Sequence, residues 1–68
     1  MKIFVTTYGG NEIGGDVSFL DGSVPADYES FKNTMEGAAE RPKDYFRFLK
    51  IGGVHVRISA IDSFRPMD

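Results

Sequence analysis

Apolar and polar positions alternate along residues 2–8, a segment rich in Ile, Phe, Val, Thr and Tyr. Such residues favour strands, in which successive side chains point to opposite faces. The pattern therefore predicts a first strand with Ile3, Val5 and Thr7 on one face. Residues 9–15 are too glycine-rich for a regular element and predict a long loop, and residues 16–20 predict a short second strand that pairs with the first.

A helical spacing begins after the Asp21–Gly22 turn signal. Apolar residues recur at intervals of four and three, which is one stripe of an amphipathic helix; they are Val24, Tyr28, Phe31, Met35 and Ala38. Ser23 is the predicted N-cap, and Pro25 suits the first turn because its missing N–H has no helical partner there. The helix is expected to end near Glu40, since residues just before a proline such as Pro42 disfavour helical dihedral angles.

Two strand-prone runs flank the Gly52–Gly53 pair, which is a strong hairpin signal. Two registers are open. A two-residue turn pairs Ile51 with Val54 and leaves a common face for Phe46, Phe48, His55 and Arg57. A three-residue loop instead gathers Phe46, Phe48, Val56 and Ile58 on one face, with Arg47, Leu49, His55, Arg57 and Ser59 on the other. The second register separates apolar from polar side chains more cleanly, and we favour it; a slip of one residue exchanges the two faces.

A tight turn at residues 59–62 and a short strand over residues 61–64 complete the chain, and Pro66 ends that strand. We predict a single α+β domain over residues 1–68: a small antiparallel sheet in ββαβββ order with one amphipathic helix packed on one face.

Length and composition change this picture in one respect. A chain of 68 residues buries a small core, and domains of this size usually gain support from disulfides, a metal or oligomerisation. The chain has no Cys and one His, so we expect neither disulfides nor a metal or other cofactor, and we predict a homo-oligomer.

The polar N-terminus does not match a signal peptide, and no apolar run approaches a membrane span, which predicts a cytoplasmic protein without membrane contact.

Charge is distributed unevenly along the chain. Residues 1–40 carry two lysines against seven acidic residues, whereas residues 41–68 carry six cations against three acidic residues, within a net charge of −2. Such asymmetry marks an interaction surface, or simply an acidic helix paired with a basic sheet or solvated charge on both.

No catalytic signature is present. Nucleophilic catalysis needs a Ser, Cys or Thr with a base in reach, and the one imidazole, His55, falls in a predicted strand beside Arg57. The acidic residues are scattered. We therefore predict a protein that is not an enzyme.

The glycine-rich residues 9–15 match neither a P-loop nor a dinucleotide fingerprint. They indicate a flexible hairpin loop, or a mobile tip on which Ile13 contacts a partner.

The run from Arg41 to Arg57 interleaves cations with aromatics, as single-stranded nucleic-acid sites do. It lacks the glycines of the RNA-recognition motif and the chain is acidic overall, so nucleic acid is the weakest of three hypotheses.

The first hypothesis is a non-enzymatic small oligomeric protein that binds and inhibits or modulates a larger protein partner. Short, Cys-free, acidic chains without active-site residues resemble, in type but without a family motif, the accessory proteins of bacteriophages and mobile elements. The predicted contact residues are Ile13, Phe46, Arg47, Phe48, Lys50, His55 and Arg57. The second is an oligomer that sequesters a small phosphorylated ligand, such as a nucleotide, between subunits, with Tyr45 as a stacking face.

Overall fold

The computed structural model describes residues 1–67 and contains one antiparallel sheet of five strands. The strands are β1 (Lys2–Thr7), β2 (Glu12–Phe19), β3 (Phe48–Ile51), β4 (Val54–Arg57) and β5 (Ile61–Pro66). They lie side by side in the order β4-β3-β2-β1-β5. Helix α1 (Tyr28–Ala39) and a short helix α2 (Pro42–Tyr45) connect β2 to β3, and a 3₁₀ turn (Ile58–Ala60) joins β4 to β5. The predicted α+β class is confirmed.

Helix α1 covers one face of the sheet. Its apolar stripe buries Phe31, Met35 and Ala38 against the inward side chains of the strands. The most completely buried of these strand residues are Ile3, Val5, Val17, Leu49 and Ile51. Each such side chain contributes roughly 1.5–3 kcal/mol relative to exposure. The core therefore consists of one helical stripe on one sheet face, and the other face has no helix over it.

The first turn of α1 corrects the predicted N-terminus. The carboxylate of Asp27, not the hydroxyl of Ser23, caps the helix by accepting a hydrogen bond from the Ser30 N–H at 2.8 Å. The Ser23 N–H and hydroxyl donate instead to Asp21, at 2.9 and 2.6 Å. A helix beginning at Ser23 would also place the residue before Pro25 in the α region, which the proline ring disfavours.

Strand β2 begins four residues earlier than predicted, because Gly14 and Gly15 belong to the strand. Other groups pack closely against these two glycines because they have no side chains. The Phe4 ring lies so close to Gly14 that a β-carbon there would be 2.5 Å from it, and a β-carbon on Gly15 would be 2.6 Å from the Gly52 Cα. The glycines that indicated a loop instead let an aromatic ring and a neighbouring backbone approach the strand.

The β3–β4 hairpin adopts the register that we did not favour. Ile51 pairs with Val54 and Leu49 with Val56 across a two-residue turn. Gly52 and Gly53 have φ values of 56° and 85°, as a type I′ turn requires. This register keeps Leu49, Ile51 and Val56 in the core. The aliphatic row is therefore inside and Phe48 is outside, contrary to an assignment that placed the aromatics inward.

Helix α2 was not predicted. It is a single turn that begins with Pro42 at its first position, and none of its residues is buried. One turn has no repeat of apolar positions, so periodicity cannot reveal it.

Candidate functional site

The side of the sheet away from α1 is the candidate site. Alternation along paired strands fixes which side chains it carries. From β4 to β5 these include His55, Arg57, Phe48, Lys50, Ser18, Asp16, Gly14, Glu12, Lys2, Phe4, Thr6, Ser63 and Arg65. All are exposed or half-buried. The surface therefore combines two phenylalanines, four Lys or Arg side chains, one histidine and two carboxylates.

At the hairpin end of this surface the charged side chains are cations, and neither strand of the hairpin carries an acidic residue. We call Phe48, Lys50, His55 and Arg57 the outer hairpin face. The register places Phe48 directly opposite Arg57 and Lys50 directly opposite His55, and all four side chains are exposed. Opposite residues on one face have β-carbons about 5 Å apart, so the four form one contiguous patch.

Arg57 stacks on Phe48 within this patch. The guanidinium carbon lies 4.5 Å from the ring centroid, within the range of a cation–π contact. A guanidinium in contact with a ring face still has N–H donors that can bind a carboxylate. The pair thus offers a donor group beside an apolar ring that is 37% exposed.

A second Phe–Arg pair lies at the other end of the sheet. Arg65 is directly opposite Phe4, and its guanidinium carbon is also 4.5 Å from the ring centroid. Here the arginine is already engaged, since its Nη2 donates to the Glu12 carboxylate at 3.3 Å. Of the two pairs, the one on the outer hairpin face is the one with no carboxylate of its own beside it.

The predicted contact residues separate into two groups. Phe48, Lys50, His55 and Arg57 come together as the outer hairpin face. Ile13 does not join them. It lies within β2 opposite Val5, half-buried against the core, rather than at a mobile loop tip.

Phe46 and Arg47 lie in the link between α2 and β3, before the strand begins. Phe46 is 57% exposed and its ring contacts that of Tyr45 edge-on at 5.6 Å. Arg47 is exposed and its Nη1 lies 3.6 Å from Asp44 Oδ1. Tyr45 lies in α2, half-buried against the core.

An open cavity of about 410 Å³ lies next to Phe48. Its walls come from residues 19–23, α1 and the α2 segment, and they include Leu20, Ala38 and Ile58. Asp44 in its wall accepts a hydrogen bond from Arg41 and faces Arg47. The hydrogen bond from Arg41, with the charge of both guanidiniums, lowers the pKa of Asp44, so this carboxyl is ionised at neutral pH and is a poor proton donor.

Sequence reasoning missed Phe4, Gly14 and Arg65 as parts of the surface. The alternation of the first strand already placed Phe4 on the face away from the core residues. The partner strand was the missing information, because the pairing of β1 with β5 joins residues about 60 positions apart.

Within residues 1–67 neither helix is both long and apolar enough to cross a membrane. The same residues bring no three His, Asp or Glu side chains into a metal-binding arrangement.

The chain matches no protein-family model, and no curated protein or solved structure is detectably similar to it. The geometry of the sheet surface is therefore the observation on which a function can be argued.

Proposed function

We propose that the chain is a cytoplasmic, non-enzymatic small oligomeric protein that binds and inhibits or modulates a larger protein, and that the outer hairpin face is its contact surface. The observation that carries this is the outward position of Phe48, stacked under Arg57 on the helix-free side of the sheet. An exposed ring beside a guanidinium is the residue combination enriched at the centres of protein interfaces.

The charge of the outer hairpin face specifies an acidic contact on the partner. Lys50 and Arg57 are positive, the His55 ring adds a polar group beside them, and no carboxylate lies on either strand of the hairpin. Complementary charge steers encounter and rejects partners of the wrong sign. A partner surface with two or three carboxylates around an apolar residue would complement this face.

The stacking of both rings supports a protein over a nucleic acid or a free nucleotide. Bases stack on open aromatic faces, whereas Arg57 lies over Phe48 and Arg65 lies over Phe4, whose ring also contacts Gly14. Glu12 and Asp16 on the same surface repel phosphate. These features lower the expected affinity for a polynucleotide.

Site-specific photo-cross-linking tests the proposal in the cells that make the protein. Replacing Phe48 by p-benzoylphenylalanine keeps an aromatic ring at the contact, and the same probe at Tyr8, which is 68% exposed, serves as the control. We expect one partner adduct from position 48, none from position 8, and loss of the adduct when Lys50→Glu is added. Equal adducts from both positions, or an adduct that survives the charge reversal, would contradict the proposal.

A single measurement tests both the predicted self-association and the alternative that the chain binds a small phosphorylated ligand. The clustering of Lys50, His55 and Arg57 is the observation that favours an anion, because three donors converge on one patch. Native mass spectrometry of gently purified protein gives the subunit number and any bound mass together. We expect an oligomer without an adduct; a stoichiometric adduct of a few hundred daltons would favour the ligand instead, and a monomer would remove the oligomer from both hypotheses.

A further inference from the structure

The sheet ends in two free edges of different character. At β5 the register slips between Thr6 and Thr7, so that Asp62 is an unpaired bulge residue, and Pro66 has no N–H to offer. Bulges and prolines are features that keep a sheet edge from accepting another strand. The β4 edge has a continuous register and no proline, so it is the edge open to pairing.

The backbone of β4 directs two residues toward this open side. In an antiparallel pair, residues that exchange hydrogen bonds alternate with residues that do not. Ile51 and Val54 flank the two-residue turn and are a bonded pair, and the Ile58 N–H donates to the Arg47 carbonyl at 2.8 Å in the same alternation. The N–H and C=O groups of His55 and Arg57 therefore point away from β3.

The side chains of β4 divide by charge between the two faces. His55 and Arg57 lie on the helix-free face, while Val54 and Val56 lie on the helix side. Val56 is buried, but Val54 remains 48% exposed at the rim of the core. Residues directly opposite one another in a sheet share a face, so a strand added here would meet His55 and the Arg57 cation on one side and an apolar rim on the other.

We infer that the β4 edge binds an extended segment of the partner as a sixth, antiparallel strand, and that acidic and apolar residues alternate in this segment. The inference rests on the proposed function and names the chemistry of its partner. Main-chain hydrogen bonds to His55 and Arg57 supply affinity, as in other cases of strand addition, and the alternating side chains supply specificity. The carboxylates face His55 and Arg57, and the apolar residues extend the rim at Val54.

A second copy of this chain fits the same edge poorly. If β4 pairs with its own copy through the outward groups of His55 and Arg57, the Arg57 guanidiniums of both copies lie on one face, and neither strand brings a carboxylate to that face. Like charges close together repel each other and disfavour this pairing. The charge of the edge thus selects an acidic strand over self-pairing.

N-methylated peptides test the inference without altering the protein. The probe is a nine-residue peptide of alternating valine and glutamate, titrated into the folded chain and followed by amide NMR and hydrogen exchange. In the inferred pairing the glutamates oppose His55 and Arg57, so the glutamate N–H groups bond to β4 and the valine N–H groups face solvent. We expect slowed exchange at the His55 and Arg57 amides.

Methylating two glutamate nitrogens should weaken binding at least about tenfold, since two interstrand hydrogen bonds are lost. Methylating two valine nitrogens should leave the affinity within about twofold, and a valine–lysine peptide should not bind. Equal binding by the two methylated peptides, protection at β5 instead of β4, or no binding by the parent peptide would overturn the inference. If the peptide fails while the position-48 cross-link persists, the partner docks on the outer hairpin face without adding a strand; loss of both would reject the proposed function as well.

Discussion

Arg57 lies directly across the β3–β4 hairpin from Phe48, and its guanidinium carbon is 4.5 Å from the centre of the Phe48 ring. A partly exposed contact of this kind contributes about 0.5–1 kcal/mol. We expect a double-mutant cycle of Phe48→Leu and Arg57→Gln, measured by urea unfolding, to give a coupling of that size. Arg57→Lys keeps the charge but not the planar group, and should recover less than half of the coupling. Additive effects of the two substitutions would show that the stacking does not persist in solution.

The core depends on Phe31, which is fully buried on α1 and meets the Phe64 ring edge-on at 5.2 Å. Truncation of a buried phenylalanine to alanine costs ~3–5 kcal/mol, against a total stability of roughly 3–10 kcal/mol for a chain of this length. We expect Phe31→Ala to lower the free energy of unfolding by about 3–5 kcal/mol, as measured by urea unfolding followed by circular dichroism.

The matched control for this substitution is Phe46→Ala. Phe46 is 57% exposed in the link before β3, and a surface truncation of this kind usually changes stability by less than about 0.5 kcal/mol. Comparable losses of stability in the two variants would mean that Phe46 is buried in the core, contrary to the structure.

Gly15 is expected to tolerate substitution less well than Gly10. Both have positive φ, at 149° and 86°, but a β-carbon on Gly15 would clash with the Gly52 backbone whereas the space around Gly10 is open. Gly10→Ala should cost about 1 kcal/mol from its backbone conformation alone. Gly15→Ala should cost at least about 1 kcal/mol more, because backbone atoms must move. Urea unfolding of both variants measures the difference, and equal losses would argue against the close approach of Gly15 to the Gly52 backbone.

Stability should fall in acid because the cap of α1 is a carboxylate. The hydrogen bond from the Ser30 backbone N–H lowers the pKa of Asp27 below its ordinary value. A carboxyl whose folded pKa is depressed stabilises the fold above its unfolded pKa, and this contribution is lost as the pH falls through the folded pKa. Asp27→Asn keeps a capping oxygen that does not titrate. Thermal unfolding between about pH 7 and pH 2.5 should therefore show a smaller acid-induced drop in Tm for Asp27→Asn than for the unsubstituted chain. Parallel curves would mean that the cap does not form.

The sequence predicted the elements that have a clear period and missed those that depend on a distant partner. The four-and-three spacing of Tyr28, Phe31, Met35 and Ala38 located α1, and the Gly52–Gly53 pair located the hairpin. The register of that hairpin was wrong because Phe48 was assigned to the core as a large apolar residue. Its exposed position is compatible with folding because Arg57 covers one side of the ring, and that contact exists only after the strands pair.

The candidate site was predicted in part for the same reason. Phe48, Lys50, His55 and Arg57 are close in sequence, so one hairpin brings them together. Ile13 was misplaced because the glycines beside it indicated a loop, whereas they belong to a strand. Phe4 and Arg65 meet only through the pairing of the first and last strands, which no local pattern specifies.

Gly15 in β2 contacts Gly52, in the turn that follows β3, with no side chain between the two backbones. A side chain added at either position would meet backbone atoms, and no substitution elsewhere could make room for it by becoming smaller. A library that randomises positions 15 and 52 together should therefore return almost only glycine among folded clones, even though position 52 lies at the surface. The narrowest sequence requirement of this domain would then fall on two residues that contribute no side chain to its core.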